Sequence, residues 1–476
     1  MTNNQTPRRR RPAAVTRALG AVGVLLLAAT VGIGGVVGTA ALVGPTNSDS
    51  GPDGTTNQAV PTVSLPANGS PDQALADLDA AAPTPTPSGL QEALAAPMSD
   101  PILGQLGVQI VDPATDAVLL EKDGAAAMQP GSTLKLYTAA AAAVVLDPGA
   151  RIVTSVVQGD NPTEITVIAG GDPTLSSQPT SIYNPGAATI QQLADGVIAS
   201  GITEVTKITV DNSVFAGPTT AVGWGSGDAP STYAAPIYPF MADGGRSQPD
   251  DDESMRYDDP DLHAAQLLAQ ALGSPNAEIV RGTATSTDQT VAAVKSAPIE
   301  QLIEQMMLIS DNTLAECLGR LVAKKTGGEA SFTGAVEAIA STMQTLGVDM
   351  TGYVGYDASG LSGQNLTSAQ SIGSLMSIVA SDQPAQLDVL SSSLPVSGYN
   401  GTLAARFETG PASGAAGRVR GKTGTLTGVS ALAGTVLTND GRVLVYSFIS
   451  NGGGGTIAVR TALDKIAATI AGCGCR

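Results

Sequence analysis

Ser132-Thr-Leu-Lys135 opens an Ala- and Leu-rich stretch that continues to Leu146 without Gly or Pro. Such a stretch favours a helix. Residues three apart on a helix share one face, so Ser132 Oγ and Lys135 Nζ come within hydrogen-bond reach. A lysine held away from water or near other cations has a lowered pKa and can accept a hydroxyl proton. By itself the pair is weak evidence, because many helices contain it and Ser132 also suits an ordinary N-cap.

A second polar motif, Ser310-Asp-Asn312, lies between two predicted helices. On extended backbone, Ser310 and Asn312 point the same way. The hydroxyl can then relay a proton to a leaving amine, and the amide can bind a carbonyl. Ser-Asp-Asn is equally good N-cap chemistry for a helix that begins at Thr313, and both roles are compatible.

The third motif, Lys422-Thr-Gly424, leads into a β-rich run. On an edge strand, Lys422 supplies a point charge for an anionic ligand and Thr423 a hydroxyl donor. Gly424 lets a ligand backbone approach closely. The same tripeptide at Lys325-Thr-Gly327 ends a predicted helix before Gly328, so we interpret that copy as a helix C-cap and exclude it.

Composition excludes several functions. The 476 residues include 24 Lys and Arg against 42 Asp and Glu, a net charge of −18, so binding to nucleic-acid phosphates is disfavoured. The single histidine, His263, argues against zinc chemistry and a Ser-His-Asp triad, and we place it in the first turns of a helix. The acidic stretch at residues 250–253 predicts a solvated loop rather than a metal site.

The N-terminal part predicts export from the cytoplasm. Residues 18–43 carry no charge and follow Arg8 to Arg11, which predicts a transmembrane anchor with residues 1–17 in the cytoplasm. A long cleaved signal peptide is the alternative. Residues 44–97 are rich in Pro, Ser, Thr and Ala and predict a disordered linker. Either leader places the folded part outside the cytoplasm, anchored to the membrane or secreted.

The folded part predicts mixed helix and sheet. A hairpin at 106–111 and 117–121 and late strands at 428–437 and 442–450 indicate one antiparallel sheet built from both ends of the chain. Between them we expect a mostly β insert at 148–274, followed by helices at 298–308, 313–324 and 368–380, and a last helix at 456–471 follows the late strands. Cys317 suits a buried position on a helix. For Cys473 and Cys475, a frayed tail is favoured over a strained disulfide.

The three motifs occur in the order that marks serine penicillin-recognising enzymes. Further stretches also match a known family: they are residues 170–175, 238–246, 310–316, 357–362, 394–398 and 419–428. With these stretches and the three motifs, the chain resembles the D-alanyl-D-alanine carboxypeptidase/endopeptidase family of low-molecular-mass class C penicillin-binding proteins, the S13 serine peptidases.

The resemblance implies an α/β (α+β) fold of the transpeptidase/β-lactamase type. An antiparallel sheet and a helical subdomain would be formed by residues 98–147 and 275–476, interrupted by the inserted subdomain at 148–274. Residues 238–246 resemble the segment that closes this insert. Ser132 and Ser310 are 178 positions apart, which is short for members with two nested inserts, so we expect one of these to be reduced or missing.

The resemblance also implies acyl transfer on peptidoglycan stem peptides. Ser132 would attack the penultimate D-Ala carbonyl, Lys135 would take its proton, and Ser310 with Asn312 would protonate the departing D-Ala. Penicillin and other β-lactams would acylate Ser132 in the same way. Neither a metal nor an organic cofactor is implied.

The resemblance implies substrate binding by the three residues of the third motif and by the residue that follows it, namely Lys422, Thr423, Gly424 and Thr425. Lys422 and Thr423 would hold the terminal carboxylate, and the backbone N–H groups of Ser132 and Thr425 would form the oxyanion hole.

Two alternatives stay open. A serine β-lactamase uses the same chemistry but needs a positioned base for fast deacylation, and no glutamate can be assigned to that role from the sequence. A non-catalytic cell-wall scaffold would have lost Ser132, Lys135 or Lys422 first, and all three are present. The balance of carboxypeptidase and endopeptidase activity is left open by the sequence.

Overall fold

The computed structural model describes residues 81–179, 181–183, 185–284, 289–381 and 384–475. The segments predicted at 1–17 and 18–43, and the linker up to residue 80, lie outside the described residues. Within the ranges given above, no helix is long and apolar enough to cross a membrane.

Ten α-helices and twelve strands form the described part of the chain. The helices are α1 Pro87–Met98, α2 Lys135–Val145, α3 Ile190–Ala199, α4 Pro260–Ala271, α5 Ile299–Ile309, α6 Asn312–Lys325, α7 Phe332–Thr345, α8 Ala369–Ala380, α9 Asp388–Ser393 and α10 Thr456–Ala471. The strands are β1 Gln105–Asp112, β2 Ala117–Lys122, β3 Arg151–Gln158, β4 Glu164–Ile168, β5 Asp172–Leu175, β6 Lys207–Asp211, β7 Phe240–Ala242, β8 Glu278–Gly282, β9 Thr290–Pro298, β10 Val419–Leu426, β11 Val429–Leu437 and β12 Val443–Asn451.

The main sheet has the strand order β10-β11-β12-β1-β2, and all its pairs are antiparallel. Alternate residues of β11 face opposite sides of this sheet. Ala431 and Ala433 pack into the core formed with α2, α5, α6 and α8, whereas Leu432 and Val436 pack into the core formed with α1 and α10. Both faces are therefore covered, and the prediction of one sheet from the two ends of the chain is confirmed.

The linker predicted at residues 44–97 is wrong at its C-terminal end, where residues 87–97 belong to helix α1. The Thr86 side chain accepts a hydrogen bond from Gly89 N and caps the helix. Leu90 and Leu94, one turn apart, are fully buried against α10. Two leucines among Pro, Ser and Ala give too weak a periodicity to detect, so burial against a distant helix decides this segment.

The insert has its own mixed sheet, with the order β8-β6-β4-β3-β9. Its predicted end at residue 274 is wrong, because β8 pairs in parallel with β6, and β9 pairs with β3. Residues 238–246 accordingly lie inside the insert and contribute β7. Helices α3 and α4 pack in the insert core, so it is α/β rather than mostly β. The expectation of a reduced nested insert stays a prediction.

The cysteines and His263 occupy defined positions. Cys317 is buried on α6 and His263 lies in the first turn of α4, as predicted. The predicted frayed tail is wrong: Cys473 is buried in the core with α1 and α10, and the Cys475 carbonyl accepts a 2.8 Å hydrogen bond from Thr86 N. The structure pairs Cys473 with Cys475 in a disulfide.

Candidate active site

In the first motif, the side chain of Lys135 lies within hydrogen-bond distance of Ser132. A short 3₁₀ helix, Gly131–Leu134, carries Ser132 into α2, so Ser132 is not an N-cap. Lys135 Nζ donates hydrogen bonds to Ser132 Oγ at 3.1 Å, Asn312 Oδ1 at 2.5 Å and the Ser359 carbonyl at 2.7 Å. Burial lowers the pKa of Lys135 to about 8, against the opposing effect of nearby carboxylates. A neutral lysine beside the hydroxyl is therefore accessible near neutral pH.

Residues of the second motif contact both Lys135 and Lys422. Ser310 ends α5 in the left-handed region, at φ 60°, so the predicted extended backbone is wrong at this residue. Asp311 caps α6 by accepting from Leu314 N at 2.9 Å, which confirms the capping role for the motif. Ser310 Oγ accepts a 2.8 Å hydrogen bond from Lys422 Nζ. The motif thus serves the helix and the site together.

The third motif lies on β10 beside the 3₁₀ helix. Lys422 is fully buried, and burial together with the charge of Lys135 lowers its pKa well below the usual value. The Thr423 hydroxyl donates to Thr402 Oγ1 at 2.9 Å. A Cβ on Gly424 would lie 2.3 Å from the Pro130 carbonyl oxygen. The missing side chain of Gly424 therefore admits the segment that carries the nucleophile, in addition to any ligand.

The excluded copy of this tripeptide behaves as predicted. Thr326 caps the C-terminus of α6, and Gly327 follows with φ +86°. That left-handed conformation favours glycine at the end of a helix.

A cavity of about 610 Å³ connects the three motifs. Of the predicted residues, Ser132, Ser310, Asn312, Thr423 and Thr425 line it. Lys135 and Lys422 are buried behind the two serines. An acyl-acceptor serine, two buried lysines and several hydroxyl donors therefore converge on one ligand-sized space.

A buried cluster missed by the sequence analysis holds the second motif. Tyr183 OH donates to Asp311 Oδ2 at 2.6 Å, and Arg246 Nη2 lies 3.1 Å from the same oxygen. Arg246 also pairs with Asp252, from the acidic stretch predicted as a solvated loop. Burial would raise the pKa of Asp311, but Arg246 and Tyr183 lower it to about 2. Residues 183 and 246 belong to the insert, and no local pattern indicates that they contact Asp311.

Glu316 holds the backbone that binds Lys135. Its carboxyl oxygens accept from the N–H groups of Ala358 and Ser359 at 2.8–3.1 Å, and the Ser359 carbonyl accepts from Lys135. Burial and the neighbouring Asp357 raise the pKa of Glu316 to about 8. Glu316 therefore positions one of the three groups that orient Lys135.

These features define a serine acyl-transfer enzyme of the penicillin-recognising class. The profile of the D-Ala-D-Ala carboxypeptidase 3 (S13) family matches residues 90–253 and 247–471. Carboxypeptidase DacB of Mycolicibacterium smegmatis is 41% identical over 460 residues, covering 96% of this chain and 97% of that protein. Carboxypeptidase Rv3627c of Mycobacterium tuberculosis is 41% identical over 400 residues, covering 83% and 86%.

The chain belongs to the S13 family, as its motifs indicated, and is a D-Ala-D-Ala carboxypeptidase of the serine hydrolase type. The crystal structure of penicillin binding protein 4 (dacB) from Haemophilus influenzae superposes with a TM-score of 0.67 at 21% identity, covering 80% of this chain and 97% of that one. This likeness confirms the predicted fold class.

Proposed function

We propose that the protein removes the terminal D-Ala from peptidoglycan stem peptides through an acyl-enzyme on Ser132. The contact of Lys135 Nζ with Ser132 Oγ, 3.1 Å long, is the observation that carries this proposal. Neutral Lys135 accepts the hydroxyl proton as Ser132 Oγ bonds to the carbonyl carbon of the penultimate D-Ala. The backbone N–H groups of Ser132 and Thr425 stabilise the resulting oxyanion.

Collapse of this intermediate breaks the peptide bond. Ser310, hydrogen-bonded to Lys422, passes the proton taken up by Lys135 to the departing amine of D-Ala, which leaves Lys135 neutral again. Asn312 contacts Lys135 and lines the cavity, where its amide orients the acyl part of the substrate. Lys135 then accepts a proton from the water that attacks the ester, and returns it to Ser132 Oγ as the bond between this oxygen and the acyl carbon breaks.

The first test is Ser132→Ala in the full-length chain. Wild-type protein should release D-Ala from a D-Ala-D-Ala peptide and gain the mass of one penicillin at Ser132, whereas the variant should do neither. Ser413→Ala, an exposed serine on a distant 3₁₀ turn, is the matched control and should behave as wild type. D-Ala release or an adduct in the Ser132 variant would contradict the proposal.

The time course of the adduct separates the alternatives. A persistent adduct supports the peptidase, rapid loss with hydrolysed drug would indicate a β-lactamase, and no adduct on folded wild type would indicate a scaffold. Cleavage of a cross-linked muropeptide dimer by the wild-type protein measures endopeptidase activity.

We also propose that the enzyme works outside the cytoplasm, anchored by residues 18–43. The support is their lack of charge and the four preceding arginines. Membrane fractions should retain the full-length protein after carbonate washing, and protease added outside the cell should reach its folded part. Release of a shortened protein into the medium would instead identify the segment as a cleaved leader.

A further inference from the structure

The substrate carboxylate needs a positive partner that the Lys-Thr-Gly motif does not place on the cavity wall. The chain has a net charge of −18, so its overall field repels an anionic peptide terminus. Lys422 is fully buried, and its Nζ donates to Ser310 Oγ at 2.8 Å and to the Thr423 carbonyl at 2.9 Å. Lys422 is thus engaged behind Ser310.

Arg460 places a cation on that wall. It lies on α10, one turn after Thr456, and both residues line the cavity with Thr423 and Thr425. Its Nη2 and Nε donate to Thr425 Oγ1 at 2.8 and 3.3 Å. The side chain is only partly buried, so the guanidinium remains within reach of a ligand.

The other cavity arginines are engaged by carboxylates. Arg246 pairs with Asp252 and Asp311, and Arg256 lies 3.9 Å from Asp252. Within the described ranges, Arg460 has no carboxylate oxygen within 4.0 Å, although Asp464 is one helical turn away. Asp464 is instead paired with Arg406. Burial and the charge of Arg406 lower the pKa of Arg460, and the charge of Asp464 offsets this only in part, so a bound anion would favour the charged guanidinium.

The hydroxyl of Thr425 links this cation to the ligand. Its oxygen accepts from Arg460, so its own proton is directed elsewhere and can be donated into the cavity. Thr423 lies two residues earlier on β10, and both threonines line the same cavity. The Thr423 hydroxyl donates to Thr402, so the Thr425 hydroxyl and the guanidinium behind it form the fitting site for a planar carboxylate.

We propose that Arg460 is the specificity-determining cation that binds the free carboxylate of the substrate, together with the hydroxyl of Thr425. This assignment rests on the proposed function. It makes the enzyme select D-Ala-D-Ala peptides, and β-lactams, that carry a free carboxylate over amidated or esterified ones.

The test compares a D-Ala-D-Ala peptide with the same peptide ending in a carboxamide. Arg460→Gln should lower kcat/KM for the acid by about 10- to 100-fold and leave the amide within about twofold, since a charged hydrogen bond is lost only with the acid. Arg460→Lys should recover part of the preference. Lys465→Gln removes one charge from the exposed face of the same helix and should leave both substrates unchanged.

Two results would overturn this role for Arg460: an unchanged acid preference in Arg460→Gln, or an equal loss on both peptides. If wild type itself released no D-Ala, the proposed function would fail separately. Acylation by a penicillin and by its methyl ester would then test Arg460, and an unchanged acid-to-ester ratio in the variant would reject its role.

Discussion

Lys422 Nζ donates a 2.8 Å hydrogen bond to Ser310 Oγ and thereby joins the sheet to the loop before α6. A second serine–lysine pair, Ser132 and Lys135, lies beside it. Burial and the charge of Lys135 lower the pKa of Lys422, because desolvation disfavours the ammonium form and two buried ammonium groups repel each other. Protonation of one lysine therefore disfavours protonation of the other.

The pH dependence of acylation should follow Lys135. Its pKa of about 8 means that the fraction of neutral base rises with pH below that value. The rate constant for penicillin acylation should increase about tenfold between pH 6 and 7 and level off above about 8, because only the neutral amine accepts the proton. Stopped-flow or quenched intact-mass measurements give the profile. A flat profile from about pH 6 to 9 would exclude Lys135 as the base.

Tyr183→Phe should destabilise the fold through Asp311. The variant removes a 2.6 Å hydrogen bond to a buried carboxylate, at a cost of about 1.5–3 kcal/mol, and should also slow acylation because Ser310 precedes Asp311. The exposed Tyr399 supplies the control: Tyr399→Phe, at a residue 78% exposed, should leave the stability unchanged. Denaturant unfolding monitored by fluorescence measures the stability of both variants, and the intact-mass time course measures their acylation by penicillin.

The stability lost in Tyr183→Phe should also depend on pH. Asp311 has a pKa of about 2 in the fold against an ordinary 3.8, so its contribution is present above 3.8 and is lost as the pH falls through about 2. The stability difference between wild type and Tyr183→Phe should therefore shrink on acidification below pH 3.8. A constant difference would show that Asp311 is not the group concerned.

Glu316→Gln should remove a pH-dependent loss of stability. The pKa of Glu316 rises from 4.5 to about 8 on folding, so the unfolded chain releases a proton that the native state retains. Wild-type stability should fall as the pH rises from 4.5 towards 8, with a slope of up to about 1.4 kcal/mol per pH unit. Glu316→Gln should lack this slope, and exposed Glu337→Gln should keep it. Parallel curves for wild type and Glu316→Gln would contradict the assignment.

Gly424→Ala should displace the segment that carries the nucleophile without changing any polar side chain. The new methyl would meet the Pro130 carbonyl oxygen at 2.3 Å, which forces a shift of the segment before Ser132. We expect a loss of about 1–3 kcal/mol in the free energy of unfolding and slower penicillin acylation. At Gly414 an added Cβ has no atom within 4 Å, so Gly414→Ala is the control. Equal behaviour of the two variants would show that this close approach is unimportant.

Local chemistry determined much of the fold and most of the site. Helix α10 was predicted at residues 456–471 and occupies Thr456–Ala471, because its apolar spacing is a property of one segment. The strands β11 and β12 were predicted to within a residue or two for the same reason. The three motifs were likewise recognisable, since each combines its chemistry within three or four consecutive residues.

Only the tertiary structure decided the rest. Helix α1, the end of the insert at Pro298 and the docking of the C-terminal cysteines all depend on pairing with distant segments. Tyr183 meets Asp311 across 128 positions, and Arg460 meets Thr425 across 35. Single tyrosines and arginines carry no periodic signal, and whether their polar ends face water, a carboxylate or a ligand is set by packing between elements. The sequence by itself therefore determined which reaction chemistry is present, and the fold decided which cations are paired with carboxylates and which, among the described residues, line the cavity without such a partner.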